Sequence, residues 1–123
     1  MEKIYYNKLC RDNVPDIIRG KGFECDIREV DHDEYKQEIV RKVFEEAGGV
    51  SNHHGRSSLL KELADLVITI DAVKKEFGIS EEEITEAVES SIEEKGGYED
   101  RLYITWSSDT EYSSQDQGQN LDD

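Results

Sequence analysis

Residues 59–73 read LLKELADLVITIDAV, a stretch in which apolar side chains cover nearly the whole circumference of a helix with 3.6 residues per turn. A helix that is apolar on almost every side is typical of a buried element. The exception is a narrow polar strip formed by Glu62 and Asp65, three residues apart. We therefore predict a central helix, from about Ser58 to Phe77, that carries two carboxylates into the protein interior.

A second pair of acids, Glu45 and Glu46, ends the preceding predicted helix, which starts at Asp31 to Asp33 and stops near Ala47 before Gly48-Gly49. Glu46 falls on the apolar arc of this helix. An ionised carboxylate in an apolar interior costs several kcal/mol unless a cation compensates it. Four converging acids favour a shared divalent cation, and oxygen-only ligands favour Mg²⁺, with Mn²⁺ as a second choice. The alternative is that the Glu45-Glu46 pair ends a solvated helix face.

The remaining segments complete a mainly α fold with a small sheet. Pro15 favours a short helix start, with Asp12 or Asn13 as its cap. Ser80 and Glu83 form a capping box that predicts a third long helix, ending at Gly96-Gly97. Alternating apolar residues predict strands at residues 3–9, 23–27 and 102–106, the first and last of which would pair. Because three helices do not bury the central one completely, we expect a second subunit to cover it in a homodimer or tetramer.

Composition narrows the classes of partner. The formal charge of −15 argues against a nucleic acid polymer as ligand, since binding would have to overcome repulsion. No apolar stretch reaches the roughly 18 residues that span a bilayer, and the Met-Glu-Lys start does not resemble a secretory signal, so a cytoplasmic protein is expected. We predict one domain over residues 1–106 and an acidic disordered tail over residues 107–123.

Two motifs follow each other in order: Glu45-Glu46-Ala47-Gly48-Gly49, and then Glu62-Leu63-Ala64-Asp65. With them the chain resembles the all-α nucleoside triphosphate pyrophosphatases of the MazG-like superfamily, which also contains dimeric dUTPases and phosphoribosyl-ATP pyrophosphohydrolases. The superfamily signature is EExxE followed by ExxD. A branch of small MazG-like proteins looks similar from residue 4 to about 106, and it shares the Tyr6 to Asp12 opening, the Pro15-x-Ile-Ile turn and the Glu94 to Tyr98 segment.

The resemblance implies an all-α pyrophosphatase-like bundle and hydrolysis of a nucleoside triphosphate between its α and β phosphates. It implies that the Mg²⁺ ligands and catalytic carboxylates are Glu45, Glu46, Glu62 and Asp65. Candidate phosphate-binding cations are Lys8 and Arg11 in the opening motif and Lys95 at the glycine turn. Two alternatives stay open: Arg11 could instead form a structural ion pair with Asp12, and Lys95 could be a solvated helix end.

The chain departs from the signature at Gly49, where the third Glu of EExxE is expected. Either the metal site works with fewer protein ligands and more water, or its activity is impaired. Four nearby residues are candidate substitute ligands: Glu38, Asp71, His53 and His54. Two other functions therefore stay open: a MazG-like protein that binds nucleotide without turnover, and an acidic protein-interaction module. A helical di-iron site fits poorly, because Asp65 stands where such sites place a histidine.

Overall fold

The computed structural model describes residues 2–111 and contains four helices in that range. They are α1 (Val14–Gly20), α2 (His32–Ser51), α3 (Arg56–Glu76) and α4 (Glu81–Lys95). The predicted mainly α fold is thus confirmed. The chain divides into two compact units within α4, between Glu86 and Ala87.

In the first unit, α2 and α3 pack against each other as an antiparallel helical hairpin. The start of α2 meets the end of α3, where His32 Nε2 lies 3.2 Å from Glu76 Oε2. The end of α2 meets the start of α3, where Gly49 lies against the Glu62 carboxylate. This antiparallel arrangement brings the two predicted acidic motifs to the same end of the helix pair.

The contact between α2 and α3 forms a thin core. Within the described residues, the buried positions are Ile39, 7% exposed, and Thr69, 6% exposed. The Thr69 hydroxyl donates a hydrogen bond to the Asp65 carbonyl at 2.9 Å, which satisfies its buried polar group inside the helix. The opposite surface of α3 leaves large apolar side chains exposed, including Leu63 and Val67.

The end of α2 differs from the prediction. The helix continues through Gly48-Gly49 and ends at Ser51, and α3 begins at Arg56, so the connection between the two helices is limited to residues 52–55. Neither glycine adopts the left-handed conformation that terminates a helix. Instead, Asn52 caps the helix, since its backbone and side-chain N–H groups both donate to the Gly48 carbonyl, at 3.0 and 2.9 Å.

The predicted helix starts are confirmed where side-chain caps specify them. The Asp31 carboxylate accepts from the Glu34 backbone N–H at 2.8 Å and begins α2. Ser80 and Glu83 form the reciprocal capping box before α4, with bonds of 3.1 and 3.0 Å. α1 begins at Val14, next to Pro15 as expected, with Asn13 at the N-cap position but without a side-chain cap hydrogen bond.

The predicted small sheet is not supported. In residues 2–111 the structure contains no β-strand, and the apolar residues of the three expected strands, such as Ile4, Phe23 and Ile104, are exposed. Alternation gives the side-chain period of a strand, but a strand forms only when its N–H and C=O groups pair with a neighbouring strand. These segments therefore run as irregular chain.

No helix in the described part of the chain is long and apolar enough to cross a membrane. Of the predicted acidic tail, residues 107–111 are exposed, and residues 112–123 lie outside the described residues.

Candidate functional site

Three of the four predicted carboxylates converge between α2 and α3. Oxygen atoms of Glu46, Glu62 and Asp65 all lie within 4.8 Å of one another, and all three residues are half-buried. Their convergence follows from the fold: Glu62 and Asp65 are three residues apart on one face of α3, and the antiparallel hairpin brings the last turns of α2 against them. We call these three residues the carboxylate cluster.

The donor set of the carboxylate cluster fits a hard divalent cation. All three groups offer oxygen, which Mg²⁺ and Mn²⁺ prefer, and one or two protein carboxylates with several waters satisfy Mg²⁺. Like charges this close repel one another, and a cation between or beside them offsets that repulsion. Within the described residues Glu62 forms no ion pair, whereas Asp65 and Glu46 have basic side chains within 4.0 Å. The residues present therefore fit the metal that the sequence suggested.

Glu45, the fourth predicted ligand, lies outside the carboxylate cluster. Its Oε1 atom accepts hydrogen bonds from Lys8 Nζ at 2.5 Å and from Lys42 Nζ at 3.3 Å. The hydrogen bond from Lys8, followed by that from Lys42, holds the pKa of Glu45 below its usual range, although partial burial opposes this shift. Glu45 is thus an ionised carboxylate held by two lysines.

Arg11 bridges the N-terminal segment to the cluster. Its Nη1 atom lies 3.5 Å from Asp65 Oδ1. The alternative ion pair of Arg11 with Asp12 does not form among the described residues. Lys8 and Arg11, both predicted to bind phosphate, therefore flank the predicted carboxylates on α2 and α3, respectively.

Lys42 lies close to the predicted carboxylates, although the sequence analysis did not assign it to the site. Its side chain is 14% exposed, and its Nζ atom lies 3.3 Å from Glu45 Oε1 and 4.0 Å from Glu46 Oε1. The spacing of three and four residues to the two acids was the available signal, because such residues are neighbours on a helix surface. Lys42 lines a cleft of about 240 Å³ together with Arg11 and Glu46. Positively and negatively charged side chains therefore line the same cleft.

The other candidates lie away from the carboxylate cluster. Glu38 pairs with Arg41 at 3.2 Å, and Asp71 pairs with Lys75 at 3.1 Å. His53 and His54 are exposed in the loop between α2 and α3, and neither belongs to the carboxylate cluster. None of the four substitute ligands considered from the sequence joins it.

Lys95, the third predicted phosphate-binding cation, is the last residue of α4 and is exposed. It belongs to the second unit of the chain.

Comparisons of the chain with protein-family models, with curated proteins and with solved structures gave no match. The resemblance to MazG-like pyrophosphatases thus stays a prediction from the two acidic motifs and their flanks.

Proposed function

We propose that this protein hydrolyses a nucleoside triphosphate between its α and β phosphates, releasing a nucleoside monophosphate and pyrophosphate. The observation that carries the proposal is the convergence of Glu46, Glu62 and Asp65 beside basic side chains. A site for a metal-bound triphosphate needs both negatively and positively charged side chains, because carboxylates bind the metal and cations bind the phosphate oxygens. The order of the two acidic motifs in the sequence supports the same reaction.

In this proposal the carboxylate cluster holds Mg²⁺, or Mn²⁺ in its place. When bound, the ion would neutralise charge on the phosphate oxygens and lower the pKa of a coordinated water. Glu45 shares Lys42 with Glu46 of the cluster and is ionised, so in this proposal it accepts a proton from the attacking water or adds a ligand. Water adds to the α phosphorus, the bond between this phosphorus and the oxygen that bridges the α and β phosphates breaks, and pyrophosphate leaves.

The cations of the site bind and orient the phosphates. Lys8 and Arg11 lie on the N-terminal segment, and Lys42, on α2, lines the same cleft as Arg11. In the substrate-free protein these groups contact carboxylates, and phosphate oxygens offer them equivalent acceptors. The guanidinium of Arg11 matches phosphate geometry because it can donate two parallel hydrogen bonds.

Pyrophosphate release tests the proposal. A panel of ribo- and deoxyribonucleoside triphosphates is incubated with Mg²⁺ or Mn²⁺ and with wild type, Glu62→Gln or Glu89→Gln. Glu89 is an exposed glutamate on α4, so its variant matches the change in charge outside the site. We expect turnover by wild type and Glu89→Gln and a loss of 100-fold or more, on the order of other catalytic-group losses, in Glu62→Gln. No turnover above the Glu62→Gln background would reject the enzyme proposal.

A nucleotide-binding protein without turnover is the second candidate, and the glycine at the third signature position favours it. This candidate predicts that a nucleoside triphosphate binds with Mg²⁺ and is recovered intact. Equilibrium dialysis with a labelled nucleotide, followed by separation of products, distinguishes it from the pyrophosphatase.

We also propose that the functional form is a homodimer or tetramer. The exposed face of α3 carries apolar residues at spacings of three and four, as in a helix that packs against another helix. They are Leu60, Leu63, Val67 and Ile70. On α2, Phe44 is 82% exposed. A second copy of the hairpin would cover these side chains and complete a four-helix core.

A further inference from the structure

Gly49 is in direct contact with one member of the carboxylate cluster. The residue lies within α2, and the position that a Cβ atom would take there overlaps Glu62 Oε2 and lies 3.0 Å from Glu62 Cδ. The Glu62 carboxylate therefore occupies the volume that a side chain at residue 49 would fill.

The neighbouring glycine provides an internal comparison. Gly48 is also inside α2, and a Cβ atom there would meet nothing within 4 Å. Neither glycine has a positive φ, so the backbone at both positions accepts an L residue other than proline. Glycine inside a helix is less favourable than alanine because it loses more conformational entropy on folding. The space that a side chain would meet therefore distinguishes the two positions, because it is open at Gly48 and filled by Glu62 at Gly49.

A side chain at residue 49 would displace Glu62 and leave α2 in place. The overlapping atoms are the end of a flexible side chain, which can rotate, whereas the helix backbone is fixed by its hydrogen bonds. Residue 49 lies three positions after Glu46, on the same face of α2. A larger group there would therefore turn the Glu62 carboxylate away from the face on which Glu46 lies and separate two members of the cluster.

We infer that Gly49 is a positioning residue: the missing side chain allows the Glu62 carboxylate to lie against α2 within reach of Glu46 and Asp65. This inference rests on the proposed function, because it concerns the same metal ion. It gives a physical reason for the departure from the EExxE signature. Here the carboxylate of Glu62 takes the space beside α2 that a side chain at residue 49 would need.

The test measures metal binding and stability separately, without substrate. Mn²⁺ alone is titrated into wild type, Gly49→Ala, Gly48→Ala and Glu62→Gln, and free Mn²⁺ is read by electron paramagnetic resonance. Thermal midpoints of the same metal-free proteins are measured by circular dichroism. We expect Mn²⁺ binding to weaken about 10-fold or more in Gly49→Ala, a typical loss when a group that orients a ligand is changed. Gly48→Ala should bind within about twofold of wild type.

The thermal midpoints show whether a variant binds Mn²⁺ more weakly only because it is less stably folded. We expect the thermal midpoint of Gly48→Ala to rise and that of Gly49→Ala not to fall, since alanine favours the helix at both positions. Wild-type affinity in Gly49→Ala, or equal weakening in both alanine variants, would overturn the inference while leaving the metal proposal intact. Mn²⁺ binding that is absent from wild type, or unchanged in Glu62→Gln, would instead reject the proposed metal site itself, and the inference with it.

Discussion

Lys8 Nζ lies 2.5 Å from Glu45 Oε1, a contact between residues 37 positions apart in the sequence. A second ion pair, between Arg11 and Asp65, joins the same N-terminal segment to α3. The segment before α1 is therefore fastened to both helices of the hairpin by charged side chains. This arrangement places two cations beside the carboxylates that the sequence predicted to be functional.

The Lys8–Glu45 contact predicts a pH-dependent contribution to stability. Since the folded-state pKa of Glu45 is lowered, its contribution is present above the ordinary glutamate pKa, about 4.3, and is lost as the pH falls through the lower folded value. Glu45→Gln should therefore reduce the free energy of unfolding at pH 7 and have less effect near pH 3. Both side chains are 40% exposed, so we expect less than about 1 kcal/mol at pH 7. Urea unfolding at the two pH values measures it.

The control for this experiment is Glu89→Gln, which removes an exposed carboxylate that forms no ion pair with any residue between 2 and 111. An effect of Glu45→Gln that is the same at both pH values would show that packing, and not the charge, stabilises the contact.

Restoring the signature acid should harm the site. Gly49→Glu introduces a second carboxylate into the space that Glu62 already fills, so we expect steric displacement and charge repulsion to lower the rate of pyrophosphate release about 10-fold or more. Gly49→Gln has nearly the same size without the charge, and comparing the two variants separates repulsion from displacement. Initial rates at saturating Mg²⁺ measure the effect. A large gain of activity in Gly49→Glu would mean that the natural site is impaired.

Ile39 should contribute more to stability than other isoleucines. It is 7% exposed in the contact between α2 and α3, where few residues are buried so deeply. We expect Ile39→Ala to reduce the free energy of unfolding by about 2–5 kcal/mol, through lost burial and the cavity that remains. Ile17→Ala is the matched control, since Ile17 is exposed on α1 and should cost less than about 1 kcal/mol. Similar losses in both variants, measured by urea unfolding, would contradict this account of the core.

The exposed apolar face of α3 predicts that the protein self-associates. A single charged substitution on this face should then disrupt the association. Val67 is 64% exposed at the centre of this face, and a glutamate there would have to be buried at a subunit contact. We expect wild type to have the mass of a dimer or tetramer and Val67→Glu to shift to the monomer mass, as read by light scattering after gel filtration. Val88→Glu places the same change at an exposed position of α4. A monomeric wild type would reject the proposed oligomer.

Much of the helical structure could be predicted because its signals are local. Asp31, Ser80 and Glu83 bond to backbone groups three residues away, so their positions in the sequence fix where α2 and α4 start. The end of α2 could not be predicted in this way. Gly48-Gly49 has the composition of a helix terminator, but the conformation of a glycine depends on its surroundings, and Asn52 caps the helix further on. The predicted strands failed for a related reason, since pairing requires a partner that alternation does not specify.

The sequence by itself determined the helical class and the acids placed among apolar residues, because helical periodicity assigns each side chain to a face. Only the tertiary structure decided which acids meet. In the folded protein Glu46 lies close to Glu62 and Asp65, whereas Glu45 forms an ion pair with Lys8. Periodicity describes one helix at a time, whereas the distance between side chains on two helices depends on how the helices pack. For the same reason, the contact between Gly49 and Glu62 could be found only once α2 and α3 lay side by side.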